Sequence, residues 1–225
     1  MENILNLPLV NKTFHGDVVT LRFRKPVGYS FIPGQCVEIH HPDGDYRTYS
    51  IASGVQKDSL VFFIKKLPQG KLSTWVYDEL KENDIVRISK EAYGFFTLGD
   101  TDKPFTFIAT GTGIAPFNSF IETYMSDESI PLKQVIYGAR YLKEIIPVPF
   151  KNTVYCLSQD TSESPSVYKG RVTDYLLEHK DKIDVDSVYY VCGLDSALRD
   201  VADILTAAGV PTENIIYEVF YYQMH

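Results

Sequence analysis

Through residues 1–99 apolar positions alternate with polar ones in short runs rich in β-branched and aromatic side chains. Val18–Phe23, Cys36–His40, Thr48–Ala52, Leu60–Ile64 and Asp84–Ser89 follow a rhythm that reads as strand. Pro33-Gly34, Pro42-Asp43-Gly44, Ser53-Gly54 and Pro68-Gln69-Gly70 punctuate them with turn-forming residues. Short strands so spaced predict an antiparallel barrel or sandwich. One helical piece, Ser73–Leu80, interrupts the series.

The rhythm changes after a polar, breaker-rich stretch, Gly99-Asp100-Thr101-Asp102-Lys103-Pro104. Five apolar runs follow: Phe105–Ala109, Gln134–Tyr137, Thr153–Leu157, Ser187–Cys192 and Ile215–Phe220. Helical stretches lie between them, Pro116–Tyr124, Val172–Glu178, and one that puts Leu198, Val201, Ala202 and Leu205 on one face before Gly209 stops it. Strand alternating with helix predicts a parallel sheet covered by helices. The expected fold class is therefore two-domain, β + α/β, with an antiparallel β domain over 1–99 and a five-stranded parallel-sheet domain over 100–225. Ligands of such sheets bind beyond the carboxyl ends of the strands, which directs attention to the loops after Ala109, Tyr137, Leu157 and Cys192.

Composition narrows the functional classes. At 44% apolar and 23% charged residues, the chain is not expected to be mainly disordered. It has no apolar run of about 18 residues that would span a membrane, and Met1-Glu2-Asn3 lacks the basic and apolar start of a secretory leader. A cytoplasmic monomer is the expectation. The net charge of −7 disfavours nucleic acid and anionic membranes as partners. Cys36, Cys156 and Cys192 are too few and too scattered for a disulfide framework or a cysteine-bound metal or iron–sulfur centre. Sixteen tyrosines and 13 phenylalanines against one tryptophan are an excess that serves either core packing or stacking on a flat ligand.

Three segments carry candidate chemistry. Gly111-Thr112-Gly113-Ile114-Ala115-Pro116 follows a predicted strand and opens a predicted helix, where glycines allow close backbone approach and free N–H groups suit a pyrophosphate. The third glycine of a complete dinucleotide fingerprint is absent, and an ordinary strand–helix turn is the alternative. In Arg47-Thr48-Tyr49-Ser50, Arg47 and Tyr49 share one strand face, offering a guanidinium fork for phosphate and a ring for stacking. Gly70-Lys71-Leu72-Ser73-Thr74 is a second candidate anion site, with a plain helix cap by Ser73 or Thr74 as the alternative.

Taken in order, Pro33-Gly34-Gln35, Arg47–Ala52, Gly70–Ser73, Gly94 with Phe96, Gly111–Phe117, Tyr137–Arg140, Val191–Gly193 and Glu218–Phe220 resemble the ferredoxin–NADP reductase family across essentially the whole chain. The stretches Phe63–Leu72 and Gly111–Phe117 look most like the bacterial ferredoxin or flavodoxin reductases. The resemblance implies an antiparallel Greek-key barrel that binds FAD and a sheet domain that binds NADP, or NAD. It implies hydride transfer between NAD(P)H and the flavin, with electrons exchanged with a ferredoxin or flavodoxin. Arg47 and Thr48 would lie along the flavin, with Arg47 on its phosphate, Tyr49 against the isoalloxazine and Ser50 near N5. Ile64 and Gly70, Lys71, Leu72 and Ser73 would line and cradle the FAD pyrophosphate. Gly111, Thr112 and Gly113 would hold the dinucleotide, and Cys192 and Gly193 would sit by the nicotinamide. Ser50, Cys192 and Glu218 are the catalytic candidates, with Ser50 and Glu218 orienting groups or relaying protons. Phe220 is a candidate cover for the other flavin face, and Tyr221 or Tyr222 for the adenine.

The chain departs from the family where the ribose 2′-phosphate is read. Ser158-Gln159-Asp160 stands where NADPH-preferring members often carry Ser-Arg, leaving Arg140, Lys169 and Arg171 as the remaining cations. NADPH is the expected donor and NADH the alternative. The acidic chain also argues against a broad basic docking face, although Lys65, Lys66 and Lys71 could form a local one. A free-flavin reductase and an electron-transfer subunit of a larger complex are the other readings.

Overall fold

The computed structural model describes residues 3–99, 102–124, 130–161 and 163–220. These fall into two compact units, one of residues 3–98 with 115–124, the other of the remaining described residues.

The first unit is built on β1 (Ile4–His15), β2 (Val18–Arg24), β3 (Cys36–His40), β4 (Tyr46–Ser50), β5 (Ser59–Lys65) and β6 (Ile85–Ser89). They pair antiparallel in the order β4-β3-β6-β1-β2-β5. Just past β4, Ala52 donates its N–H to Val61 of β5 at 2.8 Å, which joins the two ends of that order. Inward-facing Val19, Leu21, Phe23, Val37, Ile39, Leu60, Phe62 and Ile64 form one buried cluster. It is the alternation seen in the sequence, turned toward a common interior.

The strand β1 was not expected. Residues 4–8 pair with β6 and residues 9–15 with β2, with a bulge between Leu9 and Asn11. The strand thus serves two partners and its inside–outside pattern slips at the bulge, so no single alternation runs through it. Pro8 at the hand-over loses no needed donor, since edge and bulge positions tolerate proline. The expected helix at Ser73–Leu80 begins earlier, as α1 (Lys71–Thr74) followed by a π-helical turn, Trp75–Glu79.

Residues 115–124 belong to α2 (Ile114–Tyr124), which a division at residues 99 and 100 assigns to the other domain. In the structure they pack with the β unit. Asn118 Nδ2 donates to Ala52 O at 2.7 Å, Ser119 Oγ to Ser53 O at 2.8 Å, and the Gly54 N–H to Glu122 Oε2 at 2.8 Å. Phe96, Phe117 and Phe120 form a ring cluster beside them, with centroids about 6 Å apart. Gly34 is needed here, since its φ is +91° and a side chain would strike Phe96 O at 1.8 Å.

The second unit is a parallel sheet of six strands, where five were expected. They are β7 (Phe105–Thr110), β8 (Leu132–Ala139), β9 (Thr153–Leu157), β10 (Val167–Lys169), β11 (Val188–Leu194) and β12 (Ile215–Phe220), in the order β10-β9-β8-β7-β11-β12. The extra strand is the three-residue edge β10, too short to show a period. Helices α3 (Val172–Glu178) and α4 (Asp195–Ala207) bury Val172, Leu176, Leu198, Val201 and Leu205 against Ile108, Ile136, Cys156 and Val191 of the sheet. Gly209, at φ +98°, ends α4 with paired bonds from its own N–H to Thr206 O and from Val210 N–H to Leu205 O. The strand order reverses between β7 and β11, which makes their carboxyl ends the switch point where ligands of such sheets bind.

Candidate functional site

At that switch point two glycine-containing turns interlock. The turn Gly111–Gly113 follows β7, and a side chain on Gly113 would stand 2.3 Å from Cys192 O of β11. Gly193, at φ +148°, is pressed against β7 in return, where a Cβ would meet Thr110 Oγ1 at 2.1 Å. Thr110 Oγ1 also accepts the Leu194 N–H at 3.3 Å. Gly111 differs, because its φ of +55° needs glycine-like freedom while the space a side chain would enter is open. Among the described residues nothing covers the backbone crest at Gly111, and the largely buried Thr112 lies beside it. That arrangement fits an extended phosphate group.

Cys192 and Glu218 pair in register on β11 and β12, as do Leu194 and Phe220. The Cys192 thiol is buried, and burial first and the nearby Glu218 second push its pKa well up. Burial alone raises the Glu218 carboxyl to about 7. Among the described residues no hydrogen-bond partner reaches Glu218 Oε2. A carboxyl so placed is costly to leave unpaired, which makes Glu218 a candidate functional residue. Phe220 is half-buried, and Tyr221 and Tyr222 lie outside the described residues.

Arg140, Ser158 and Arg171 come together at the ends of adjacent strands. Ser158 N donates to Ala139 O at 3.1 Å, Gln159 N to Arg140 O at 2.9 Å, and Gly170 N to Leu157 O at 3.0 Å. Two of the cations expected there are engaged by acids. Arg140 Nη2 lies 2.5 Å from Oε1 of the buried Glu144, whose Oε2 also accepts the Arg140 backbone N–H at 3.2 Å. Lys169 Nζ is 2.9 Å from Glu163 Oε1. The Arg171 side chain is exposed, while its N–H caps α3 through Asp174 Oδ2 at 2.7 Å.

In the β unit, Arg47 is exposed and donates to Tyr46 O at 2.7 Å. Tyr49 is half-buried against the interior cluster, and Ser50 is buried. Thr48 Oγ1 lies 2.8 Å from the Tyr93 hydroxyl, a partner that sequence reasoning missed. The Ile64 side chain belongs to the core, and the residue pairs with Val19 of β2. Gly70 makes the turn before α1, where a Cβ would strike Ser73 Oγ at 2.3 Å. The cap expected from Ser73 or Thr74 is not made; Ser73 Oγ instead accepts the Leu67 N–H at 3.1 Å and donates to Gly70 O at 3.0 Å, tying the turn shut. Lys71 turns to Asp43 and Asp45, and Lys66 to Asp78 at 2.7 Å, so acids offset both of these lysines of the expected basic patch. Contact with Lys71 first, and with His41 after it, holds the Asp43 carboxyl down to about 2.

An antiparallel β unit joined to a parallel sheet with a glycine crest at its switch point defines a two-domain nucleotide-binding protein. Comparison with known proteins narrows that class. Residues 107–203 match the family described as the oxidoreductase NAD-binding domain. The chain is 30% identical over 223 residues to the reductase component of propane 2-monooxygenase from Rhodococcus jostii, covering 91% of this chain and 60% of that protein. It is 30% identical over 203 residues to the electron transfer component of toluate 1,2-dioxygenase from Pseudomonas putida, covering 85% and 59%. The chain thus spans about 60% of the length of these relatives. A ferredoxin NADP+ reductase from Neisseria gonorrhoeae, solved with FAD and NADP, superposes with a TM-score of 0.83 at 21% identity, over 96% of this chain and 98% of that one. The chain has the two-domain fold of ferredoxin–NADP reductases, and residues 107–203 are similar to the oxidoreductase NAD-binding family.

Proposed function

We propose that the chain is a flavoprotein oxidoreductase that moves a hydride between NAD(P)H and bound FAD and exchanges electrons with a separate acceptor. The observation that carries this reading is the half-buried Glu218, whose enclosed Oε2 has no partner among the described residues, in register with Cys192 at the switch point that also holds the crest of the Gly111 turn. A dinucleotide fits that crest, where the backbone meets phosphate directly and Gly113 and Gly193 keep the two turns in contact. Cys192 and Gly193 flank the nicotinamide in this reading. Glu218, balanced between its two protonation states near neutral pH, holds or yields a proton at its Oε2.

When bound, FAD supplies a hydride acceptor and the means to release electrons one at a time. The exposed guanidinium of Arg47 suits the flavin phosphate, and the half-buried Tyr49 suits one side of the isoalloxazine. Ser50 lies one residue on, and Lys71, Leu72 and Ser73 form the turn assigned to the pyrophosphate. NADP is the assigned dinucleotide, with Arg171 the freest cation for its 2′-phosphate. NAD is the alternative, favoured by the carboxylates that engage Arg140 and Lys169.

The acceptor is a ferredoxin or flavodoxin in the first reading. The two similar proteins named for reductase and electron-transfer components favour a second, in which the chain serves an oxygenase. Anaerobic titration of the purified chain with NADPH and NADH tests the core of the proposal. A yellow protein bleached by either is expected. A yellow protein bleached by neither overturns it, and a colourless one that turns over only with added flavin moves the assignment to free-flavin reduction.

A further inference from the structure

The hairpin between β3 and β4 is fastened to the turn assigned to the flavin diphosphate. Lys71 Nζ meets Asp43 Oδ2 and lies 3.2 Å from Asp45 Oδ2. The other oxygen of Asp43, Oδ1, is 2.6 Å from His41 Nδ1, and the His41 ring stands edge-on to Trp75 at 5.3 Å. Lys71 and Trp75 are four residues apart on one helical stretch, so the hairpin grips that stretch at two points. The turn is braced internally, with His41 N–H donating to Asp45 O at 2.7 Å and Gly44 N–H to His41 O at 3.0 Å. Gly44 supplies the positive φ, +106°, that the turn requires. Both carboxylates are therefore presented to Lys71 by a shaped loop rather than by chance rotamers.

The charges decide what this does. Asp43 and Asp45 face Lys71, and Arg47 follows in β4 just after the hairpin turn, so two negative groups stand against the two positive ones at the place assigned to a diphosphate. Lys71, Asp43 and Asp45 are 55%, 42% and 56% exposed, and ion pairs at such exposure are weak, so the ammonium is easily drawn away. The carboxylates stay, and they oppose an incoming dianion.

We infer that Asp43 and Asp45 form an acidic clasp on Lys71 that competes with the flavin diphosphate and sets the affinity for FAD. The inference rests on the flavin-binding reading of Arg47 and Gly70–Ser73. It makes this chain a weak, exchangeable holder of its flavin.

The test is FAD and FMN binding, followed by flavin fluorescence, for the wild type, Asp43→Asn, Asp45→Asn and the double variant. The double variant is expected to bind FAD about tenfold more tightly, a Coulombic effect at near-surface contact distance. FMN, which lacks the second phosphate, gains less. The single variants give intermediate gains and serve as folded comparisons if the double variant is unstable. FAD binding by the wild type with unchanged or weaker binding by the variants overturns the clasp. An equal gain for FAD and FMN overturns it too, since the effect would then lie away from the second phosphate. A wild type and variants that bind neither flavin overturn the flavin reading itself, and the clasp with it.

Discussion

Cys192 and Glu218 stand in register on neighbouring parallel strands, and their environment favours the protonated form of both. The Glu218 carboxyl, ordinarily near 4.5, is raised to about 7 by burial. Between those values the unfolded chain releases a proton that the folded chain keeps. Ionisation of Glu218 therefore disfavours folding increasingly as pH rises from about 4.5 to about 7, and the penalty stays constant above that. The full shift corresponds to at most about 3 kcal/mol, and partial exposure of the carboxyl reduces the expected value to about 1–2 kcal/mol. Glu218→Gln, which stays neutral, is expected to melt higher than the wild type at about pH 8 and no higher at about pH 4. Thermal unfolding across pH checks this, and equal melting temperatures at the higher pH would show that the carboxyl is not held up.

The glycines at the switch point differ in what they tolerate. Gly113→Ala places a methyl group 2.3 Å from the Cys192 carbonyl oxygen, a backbone atom that cannot swing aside. Gly111→Ala meets open space and costs only the strain of a left-handed backbone, about 1 kcal/mol. Gly113→Ala is expected to lose about 2–3 kcal/mol, by forcing β7 and β11 apart. Denaturant unfolding of the two variants side by side measures the difference, and a Gly111→Ala protein as unstable as Gly113→Ala would be evidence against the interlock.

What was legible in the sequence follows from how each element is held. The second unit declared itself because its strands are buried runs between amphipathic helices, a pattern that survives any detail of packing. The edge strand β10 did not, because Val167–Lys169 takes its identity from pairing with β9 and not from its own period. β1 was hidden by its bulge, which divides it between two partners. Among the candidate site residues, the glycines were readable from their strand–turn–helix setting and Glu218 from the family resemblance. The engagement of Lys71 by Asp43 and Asp45, and of Arg140 by Glu144, was not. Each depends on where a loop or short turn delivers a carboxylate, and Pro42-Asp43-Gly44 reads in sequence only as a turn.

Tyr49 is expected to be needed for flavin retention, and its half-burial against the barrel interior shapes the experiment. Tyr49→Ala removes a stacking surface and some core packing together, so its effect alone is ambiguous. Tyr49→Phe keeps both. The Ala variant is expected to bind FAD about tenfold or more weakly, in line with the loss of one ring–ring stack, and the Phe variant within about threefold of the wild type. Equilibrium binding resolves the two. An Ala variant that folds and retains FAD unchanged would move the flavin away from this strand.

In the proposed reading, dinucleotide choice depends on the cations at the ends of β8, β9 and β10. Arg140 and Lys169 are each engaged by a glutamate, and Gln159 occupies a position where the chain carries no charge. Gln159→Arg restores a guanidinium next to Ser158, and Glu163→Gln releases Lys169 without disturbing a buried group, since Glu163 is 85% exposed. Both changes act on the extra phosphate of NADPH and on nothing that NADH carries there. The ratio of kcat/KM for NADPH to that for NADH is expected to rise about tenfold in the double variant, a shift of about 1.4 kcal/mol, with the NADH value little changed. Arg171→Gln is expected to lower the same ratio. Stopped-flow reduction of the flavin with each donor reads these numbers directly. A rise in both donors together would mean that the substitutions act on the shared part of the dinucleotide, and the pocket for the 2′-phosphate would then have to be sought elsewhere.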